Sequence, residues 1–159
     1  MMLPMDARPT ESNAKRQYIG LGMCDRRYAL PIRMIREIIQ SPTVTPLPGV
    51  DRSVRGVANL RGAIIPILSL RDLLRLPAIA LEDQDRTIVL SSDSRTIGLT
   101  VDNVTDVLRI DDAEVQPPPE TAVSADGYIA GLCRHDDQMV IVLDAEQLIQ
   151  TAGLANTPS

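Results

Sequence analysis

With 159 residues, of which 44% are hydrophobic, the chain is long enough for one packed domain or for two small lobes that share a boundary. There is no Phe or Trp and there are only three Tyr, so the core must be aliphatic. The net charge of −5, together with so few aromatic rings, argues against nucleic-acid binding.

The N-terminal residues 1–16 are polar, contain proline and show no periodicity, so we predict a disordered arm. The start, MMLPMDARP, is too short and too acidic for a signal peptide, and no apolar run approaches the ~20 residues of a membrane span. Cys24 and Cys133 lie far apart and have no metal-ligand spacing. Two reduced thiols in a cytosolic protein are the simplest interpretation.

The first predicted element is a hairpin. Residues 18–23 and 27–30 are apolar runs that flank the turn Cys24-Asp25-Arg26. The next segment, residues 32–39, fits either a helix or a bent strand, because its apolar positions satisfy both periodicities. A proline-rich loop then leads to the central part of the chain.

That central part is VRGVANLRGAIIPILSL, residues 54–70, which predicts two strands joined by a tight turn. The apolar run after the turn is rich in β-branched side chains and too short for a buried helix. Gly62 is available for a positive φ angle, and the turn presents Arg61 to a partner. Pro66 indicates an edge strand or a bulge. Residues 71–76 predict a short amphipathic helix.

The second half of the chain repeats the pattern of the first. Residues 29–39 align with residues 98–108 at a constant offset of 69, with small, aliphatic and acidic residues matched in type. Residues 65–69 align with residues 140–144 at an offset of 75. Two copies of a five-strand unit, each closed by a short helix and forming a small antiparallel barrel, are the simplest interpretation. Chance similarity between aliphatic β segments is the alternative.

No cluster of residues predicts catalysis, a cofactor or a metal site. The only histidine, His135, lies in a polar turn and has no evident nucleophile to activate. The carboxylates that follow Asp102 lack the spacing and central glycine of a calcium loop, so a solvated acidic face is the better interpretation. Gly20-Leu21-Gly22 is not followed by the helix that a phosphate loop requires. The chain is therefore predicted not to be an enzyme.

One motif indicates a family. Asn59-Leu60-Arg61-Gly62, followed by Ala63-Ile64-Ile65-Pro66-Ile67, resembles the signature of CheW-like chemotaxis coupling proteins. The resemblance extends over nearly all of residues 17–150. Two positions depart from the family pattern, since Ser69 stands where Asp or Asn is usual and Asn103 stands where Gly is common.

The resemblance implies an all-β fold with short helices, made of two small five-stranded SH3-like β-barrel lobes related by a pseudo-twofold axis. We expect a single CheW-like domain over residues 17–150, with lobe 1 at about 17–76 and lobe 2 at about 85–143. A terminal helix over residues 144–151 would pack back onto the lobes, and residues 152–159 would form a flexible tail.

The resemblance also implies a non-catalytic adaptor that couples chemoreceptors (methyl-accepting chemotaxis proteins) to a CheA-type histidine kinase. Its partners would be the cytoplasmic tip of the receptor and the regulatory domain of the kinase. The protein would be cytoplasmic, monomeric when free, not inserted in the membrane, and recruited to membrane-associated receptor arrays. The charges of the two halves, +6 over residues 1–76 and −11 over residues 77–159, would help to fix the docking orientation.

The receptor-binding groove implied by the resemblance lies between the lobes, and no kinase-contacting residues are indicated. The residues expected to line the groove are Ile35, Glu37, Gly56, Leu60, Arg61, Asp102 and Val104. Core packing is the alternative role for Ile35 and Val104. Glu37 and Arg61 are expected to lie close together, as an exposed pair that contributes little to folding and more to binding.

Two other assignments stay open. The chain is consistent with an adaptor of a non-flagellar chemosensory pathway that controls twitching or biofilm formation. A small-barrel nucleic-acid-binding module is less favoured, because it would need a basic groove with aromatic side chains.

Overall fold

A computed structural model describes residues 15–77, 86–93, 95–119 and 127–155, and most of these described residues lie in strands. Its strands are β1 Lys15–Met23, β2 Arg26–Pro31, β3 Ile35–Gln40, β4 Val54–Leu60, β5 Ala63–Ser69, β6 Arg86–Ser92, β7 Arg95–Val101, β8 Asn103–Asp111, β9 Ile129–His135 and β10 Gln138–Leu143. Two short helices follow the central and the last strand, α1 Leu70–Leu73 and α2 Ala145–Ala155.

These strands form two five-stranded sheets, which confirms the predicted all-β fold with two lobes. Lobe A has the strand order β8-β1-β2-β10-β9, and lobe B has the order β3-β6-β7-β5-β4. The largest cluster of buried side chains contains residues of both sheets, among them Leu30 and Leu99, so the lobes share an apolar core. α2 packs against this core through Leu148 and Ile149.

The lobes do not follow the order of the sequence, so the expected boundaries, about 17–76 and about 85–143, are wrong. Each half of the chain gives two strands to one sheet and three to the other, because the chain crosses between the sheets after β2 and after β7. The first crossing is a 3₁₀ turn at Ile32–Met34, which leads into β3, and the second is a bend at Asp102.

Each sheet contains one parallel pair, which the expectation of antiparallel lobes did not include. β2 runs parallel to β10, and β5 runs parallel to β7. The strands of each pair belong to different hairpins, so no tight turn forces them to run in opposite directions.

The hydrogen-bond register reproduces the internal repeat. Ala29 lies beside Val142 in lobe A. Gly98 lies beside Ile67 in lobe B. Ala29 of β2 and Gly98 of β7 are 69 residues apart, and Ile67 of β5 and Val142 of β10 are 75 residues apart. These are the two offsets found in the sequence. The strand orders of the two sheets also correspond one to one, so the duplication extends to the pairing of every strand.

Two-residue turns close the hairpins β1–β2, β4–β5 and β9–β10. Their central residues, Cys24-Asp25, Arg61-Gly62 and Asp136-Asp137, all have positive φ angles. Positive φ at both central positions is the type I′ geometry, whose twist matches that of the flanking strands. The predicted turn at Gly62 is confirmed with a φ of 88°, and so is the hairpin that turns at Cys24.

Pro66 indicated an edge strand or a bulge, and β5 is not an edge strand. The register does shift close to Pro66, but the irregularity lies in the partner strand β4, between Val54 and Gly56. β5 lies between β7 and β4, but β7 pairs only with its last three residues, Ile67–Ser69. Pro66 therefore has a neighbouring strand on one side only, and its missing N–H removes no bond to β7.

The helices begin at side-chain caps. Ser69 Oγ accepts a hydrogen bond from the amide of Asp72 at the start of α1, at 3.3 Å. Asp144 caps α2 in the same way through the amide of Gln147, at 3.0 Å. Since Ser69 and Asp144 are equivalent in the repeat, serine fulfils the role of the more usual acidic residue. α1 starts earlier and is shorter than the predicted helix over residues 71–76.

The first strand and the last helix differ slightly from expectation at their outer ends. β1 begins at Lys15, within the predicted arm, and α2 continues to Ala155, beyond the expected end of the helix at residue 151. Residues 1–14 and 156–159, which hold the rest of the predicted arm and tail, lie outside the described residues.

Candidate functional site

Three of the residues implied by the resemblance meet in a shallow groove of about 240 Å³, which we call the lobe B groove. It lies within lobe B and not between the lobes, where the resemblance implied the receptor-binding groove. Glu37 comes from β3, Leu60 from the end of β4 and Arg61 from the turn into β5. The other residues that line the groove are Arg36, Ala63, Ile65, Val89 and Thr96. β3 and β4 stand at opposite ends of the strand order, so the sheet must curl like a small barrel to bring them together.

Arg61 and Glu37 form a two-pronged ion pair, as expected from the sequence. Arg61 Nη2 donates to Glu37 Oε1 at 2.8 Å, and Nη1 pairs with Oε2. The hydrogen bond from Arg61 lowers the pKa of Glu37, so the carboxylate is charged at neutral pH. The side chain of Arg61 is 72% exposed and that of Glu37 21%. The pair therefore holds the guanidinium in a fixed direction while leaving other N–H donors open to a partner.

Apolar side chains adjoin this pair. Leu60 packs against the small cluster of Ala58, Ile65 and Ile67. Ile64 is exposed as well, but alternation along β5 directs its side chain to the face opposite to Ala63 and Ile65, which line the groove.

Ile35 and Val104 do not belong to the lobe B groove. Both are half-buried and pack against the shared core of the two lobes. They occupy equivalent positions in the repeat, close behind the two crossings between the sheets. Packing, the alternative considered for them, describes their surroundings in the structure.

Gly56 is a buried point of close backbone approach. Its φ is +142°, and a Cβ atom there would lie 2.1 Å from the carbonyl oxygen of Thr45. Thr45 forms a two-way bridge with Val57, with N···O distances of 2.8 and 2.9 Å. Only glycine allows this segment to lie against β4.

Asp102 is bound to a buried arginine that the sequence analysis missed. Arg71 Nε donates to Asp102 Oδ1 at 2.9 Å and to Oδ2 at 3.0 Å, and Nη2 donates to Oδ2 at 2.5 Å. The two side chains are only 7% and 15% exposed. In the sequence, Arg71 resembles any surface arginine of a short helix, and no local pattern shows that it is buried.

Lobe A carries a different arrangement at the position equivalent to Glu37. There Asp106 pairs with Arg27, which is 20% exposed and also donates to Gln138 at 3.2 Å and to Thr105 at 3.5 Å. Gly20 leaves room for this cluster, because a Cβ atom there would lie 2.6 Å from Thr105 Oγ1. The hydroxyl of Thr105 lowers the pKa of Asp106, and Arg27 adds to the effect.

The remaining titratable groups of the described residues give no sign of a metal site. Among the residues that the structure describes, no group of three or more His, Cys, Asp and Glu side chains is placed to hold a metal ion. His135 lies at the end of β9, with Nε2 3.5 Å from the carboxylate of Asp136. Burial raises the pKa of the Cys133 thiol. In the same ranges, no helix is both long and apolar enough to cross a membrane.

Comparisons with known proteins agree with the fold and with the motif. Residues 17–153 match the family described as CheW-like domain. The chain is 31% identical to chemotaxis protein CheW of Helicobacter pylori over 134 residues, an alignment that covers 84% of this chain and 81% of that protein. It is 25% identical over 153 residues to protein FrzA of Myxococcus xanthus, which covers 95% of this chain and 96% of that protein.

A solved structure shows the same fold. The crystal structure of the scaffolding protein TtCheW from Thermoanaerobacter tengcongensis superposes with a TM-score of 0.74 at 26% identity, and covers 81% of this chain and 88% of that one. The family match spans both lobes and includes the turn that carries Arg61. The chain therefore belongs to the CheW-like family and is a chemotaxis adaptor.

Proposed function

We propose that this protein is a non-catalytic scaffold that joins the cytoplasmic tip of a chemoreceptor to the regulatory domain of a CheA-type histidine kinase. Membership of the CheW-like family supports the adaptor role. The observation that carries the proposal is the Arg61–Glu37 pair, which displays a fixed, exposed guanidinium beside apolar side chains. The protein acts in the cytoplasm, is monomeric when free and is recruited to receptor arrays at the membrane.

Receptor contact is assigned to Glu37, Leu60 and Arg61. A receptor tip presents helices, whose carboxylates and terminal carbonyls accept hydrogen bonds from a planar arginine fork. Because Glu37 already holds that fork in place, little side-chain entropy is lost on binding. Leu60 adds the apolar contact that usually surrounds such an anchor.

The other four implied residues support the receptor site from behind. Gly56 and Asp102 shape the backbone and the junction of the lobes, and Ile35 and Val104 pack against the core beneath them. The kinase contact lies on another face, so that both partners bind at once.

Substitution of Arg61 tests the assignment. Arg61→Ala should lower affinity for a receptor-tip fragment by about tenfold or more, the loss expected of a binding hot spot. Its melting temperature should stay within a few degrees of wild type, because exposed ion pairs add little to stability. Affinity for the kinase regulatory domain should change little. Titration of both fragments, with a melting curve for each variant, provides the measurement.

Arg16→Ala is the matched control. Arg16 also forms an exposed ion pair, with Nε 2.9 Å from Asp112 Oδ2, but it lies on lobe A. This variant should bind both fragments as wild type does. Equal losses for both partners in Arg61→Ala, with a collapsed melting curve, would show that Arg61 holds the fold together instead.

The non-catalytic part of the proposal has its own test. Purified protein incubated with labelled ATP and magnesium should show neither turnover nor self-labelling. Labelling that follows the protein through further purification would contradict a pure scaffold.

A further inference from the structure

The Arg71–Asp102 ion pair lies where the two lobes join. The guanidinium of Arg71 spans both carboxylate oxygens of Asp102. It also donates to the sulfur of Cys24 at 3.4 Å and to the carbonyl oxygen of Pro77. One buried side chain thus binds three other segments of the chain.

Those segments belong to different lobes. Arg71 lies in α1, directly after β5 of lobe B. Cys24 lies in the β1–β2 turn of lobe A, and Asp102 lies at the bend where the chain crosses from β7 of lobe B to β8 of lobe A. The pair therefore ties the tip of one sheet to the end of the other.

The repeat provides a comparison, because the chain contains an equivalent junction. The offsets of 69 and 75 place Arg33 at the equivalent of Asp102 and Glu146 at the equivalent of Arg71. Both residues are exposed. Glu146 accepts a hydrogen bond from the hydroxyl of Ser92 at 2.9 Å. Arg33 and Glu146 both lie in the described part of the chain, and they form no ion pair with each other. Only one of the two junctions is closed by a buried pair.

A buried ion pair is a costly way to gain stability, because both charges lose their hydration. Apolar side chains of similar size often serve stability as well or better. What a two-pronged pair provides and an apolar contact does not is direction, since both N–H donors must meet both oxygens. The pair therefore supplies a fixed direction, which simple core packing would not.

We propose that Arg71 and Asp102 are positioning residues that fix the angle between the two lobes. Asp102 then affects receptor binding by holding β8 and its Val104 against lobe B, and not by touching the receptor. The second statement rests on the proposed receptor-binding function, whereas the first does not.

Residual dipolar couplings of backbone amides, measured on the full isotope-labelled chain, test the first statement. In wild type, the couplings of both sheets should fit a single orientation that agrees with the structure. In Asp102→Asn, which keeps the shape but removes the charge, each sheet should still fit by itself. Their relative orientation should change by about 10–20°, the scale that disturbs a binding site. An unchanged orientation would overturn the proposal.

Binding to a receptor-tip fragment tests the second statement. Asp102→Asn should weaken it by about tenfold, in proportion to the change in orientation. The double variant Arg71→Met/Asp102→Leu should restore the melting temperature but neither the orientation nor the affinity, because it packs without direction. Wild-type affinity in this double variant, or weakened binding of Asp102→Asn with no change in orientation, would overturn the positioning role.

Two further variants keep the test decisive. If Asp102→Asn does not fold, Arg71→Lys retains the charge and loses the fork, and it should give a smaller reorientation in the same direction. Arg33→Met is the matched control at the unpaired junction and should leave orientation and affinity unchanged. If wild type itself does not bind the receptor fragment, the proposed function fails, while the couplings still decide whether the pair fixes the lobes.

Discussion

The two lobes pair equivalent carboxylates, Glu37 and Asp106, with arginines from different places. In lobe B, Glu37 meets Arg61 from the tip of a hairpin, and the guanidinium is largely exposed. In lobe A, Asp106 meets Arg27 from the middle of the sheet, and that guanidinium is mostly covered by Thr105 and other polar partners. One position of the repeat therefore carries two kinds of ion pair.

The difference shows how a duplicated fold acquires one binding face. An arginine in the middle of the sheet uses its donors on neighbouring side chains and leaves few for a ligand. An arginine on a turn needs only one internal partner to fix its direction, and the rest of its donors face outward. The surrounding residues differ as well. At equivalent positions, lobe B has Thr96 where lobe A has Arg27, and lobe B has Val89 where lobe A has Gly20.

The largest expected effect concerns two glycines at equivalent positions in the lobes. Gly56 and Gly131 are equivalent, but only Gly56 has a positive φ, and its Cβ would meet a backbone oxygen at 2.1 Å. At Gly131, a Cβ would meet the side chain of Val115 at 2.5 Å and a backbone oxygen at 2.6 Å. Gly56→Ala should lower the free energy of unfolding by about 3–5 kcal/mol, and Gly131→Ala by about 1–3 kcal/mol.

Urea unfolding of both variants measures this difference. The order matters more than the absolute values, because both substitutions add the same methyl group. Equal losses would mean that the positive φ of Gly56 adds nothing to the cost of the substitution. The two glycine positions would then be equivalent in backbone strain as well as in sequence.

A smaller effect is expected at the two helix caps. Ser69 is buried, so in Ser69→Ala water cannot easily take the place of the lost hydroxyl at the amide of Asp72. Asp144 is only half-buried, so its position beside the amide of Gln147 is already open to water. Ser69→Ala should cost about 1–2 kcal/mol and Asp144→Ala about 0.5–1 kcal/mol. Thermal or urea unfolding measures both losses. A larger loss in Asp144→Ala than in Ser69→Ala would show that the charge of the cap matters more than its burial.

The smallest effects concern protonation. The pKa of Glu37 lies below its ordinary value of 4.5 chiefly through Arg61, whereas that of Asp106 lies below 3.8 chiefly through Thr105. A carboxyl with a lowered folded-state pKa contributes stability above its ordinary pKa, and this contribution is lost as the pH falls through the folded-state pKa. Both contributions are therefore complete at neutral pH and disappear only below about pH 4.5 and pH 3.8.

Carboxyl NMR titrations separate the two lobes. Arg61→Ala should return the pKa of Glu37 close to 4.5, because it removes the main cause of the shift. Arg27→Ala should leave the pKa of Asp106 below 3.8, because Thr105 still donates. A full return of Asp106 in Arg27→Ala would show that the arginine dominates in both lobes.

Much of the fold is readable from the sequence, because local chemistry and repetition decide it. Alternating aliphatic residues predict the strands, and the offsets of 69 and 75 predict which strands correspond. Gly62 predicts the tight turn, and a tight turn places Arg61 on the surface. The closeness of Arg61 and Glu37 was expected from the family resemblance, which places both residues beside one groove, and not from the residue pattern by itself.

Tertiary structure alone decided how the halves combine and which charges are buried. The lobes exchange strands because the chain crosses between sheets at a 3₁₀ turn and at the bend of Asp102, and neither crossing has a distinctive residue pattern. Arg71 and Arg27 look like surface arginines in the sequence, and only the packing of distant strands covers them. Whether a charged side chain is buried depends on partners from distant segments, and a local pattern contains no information about them.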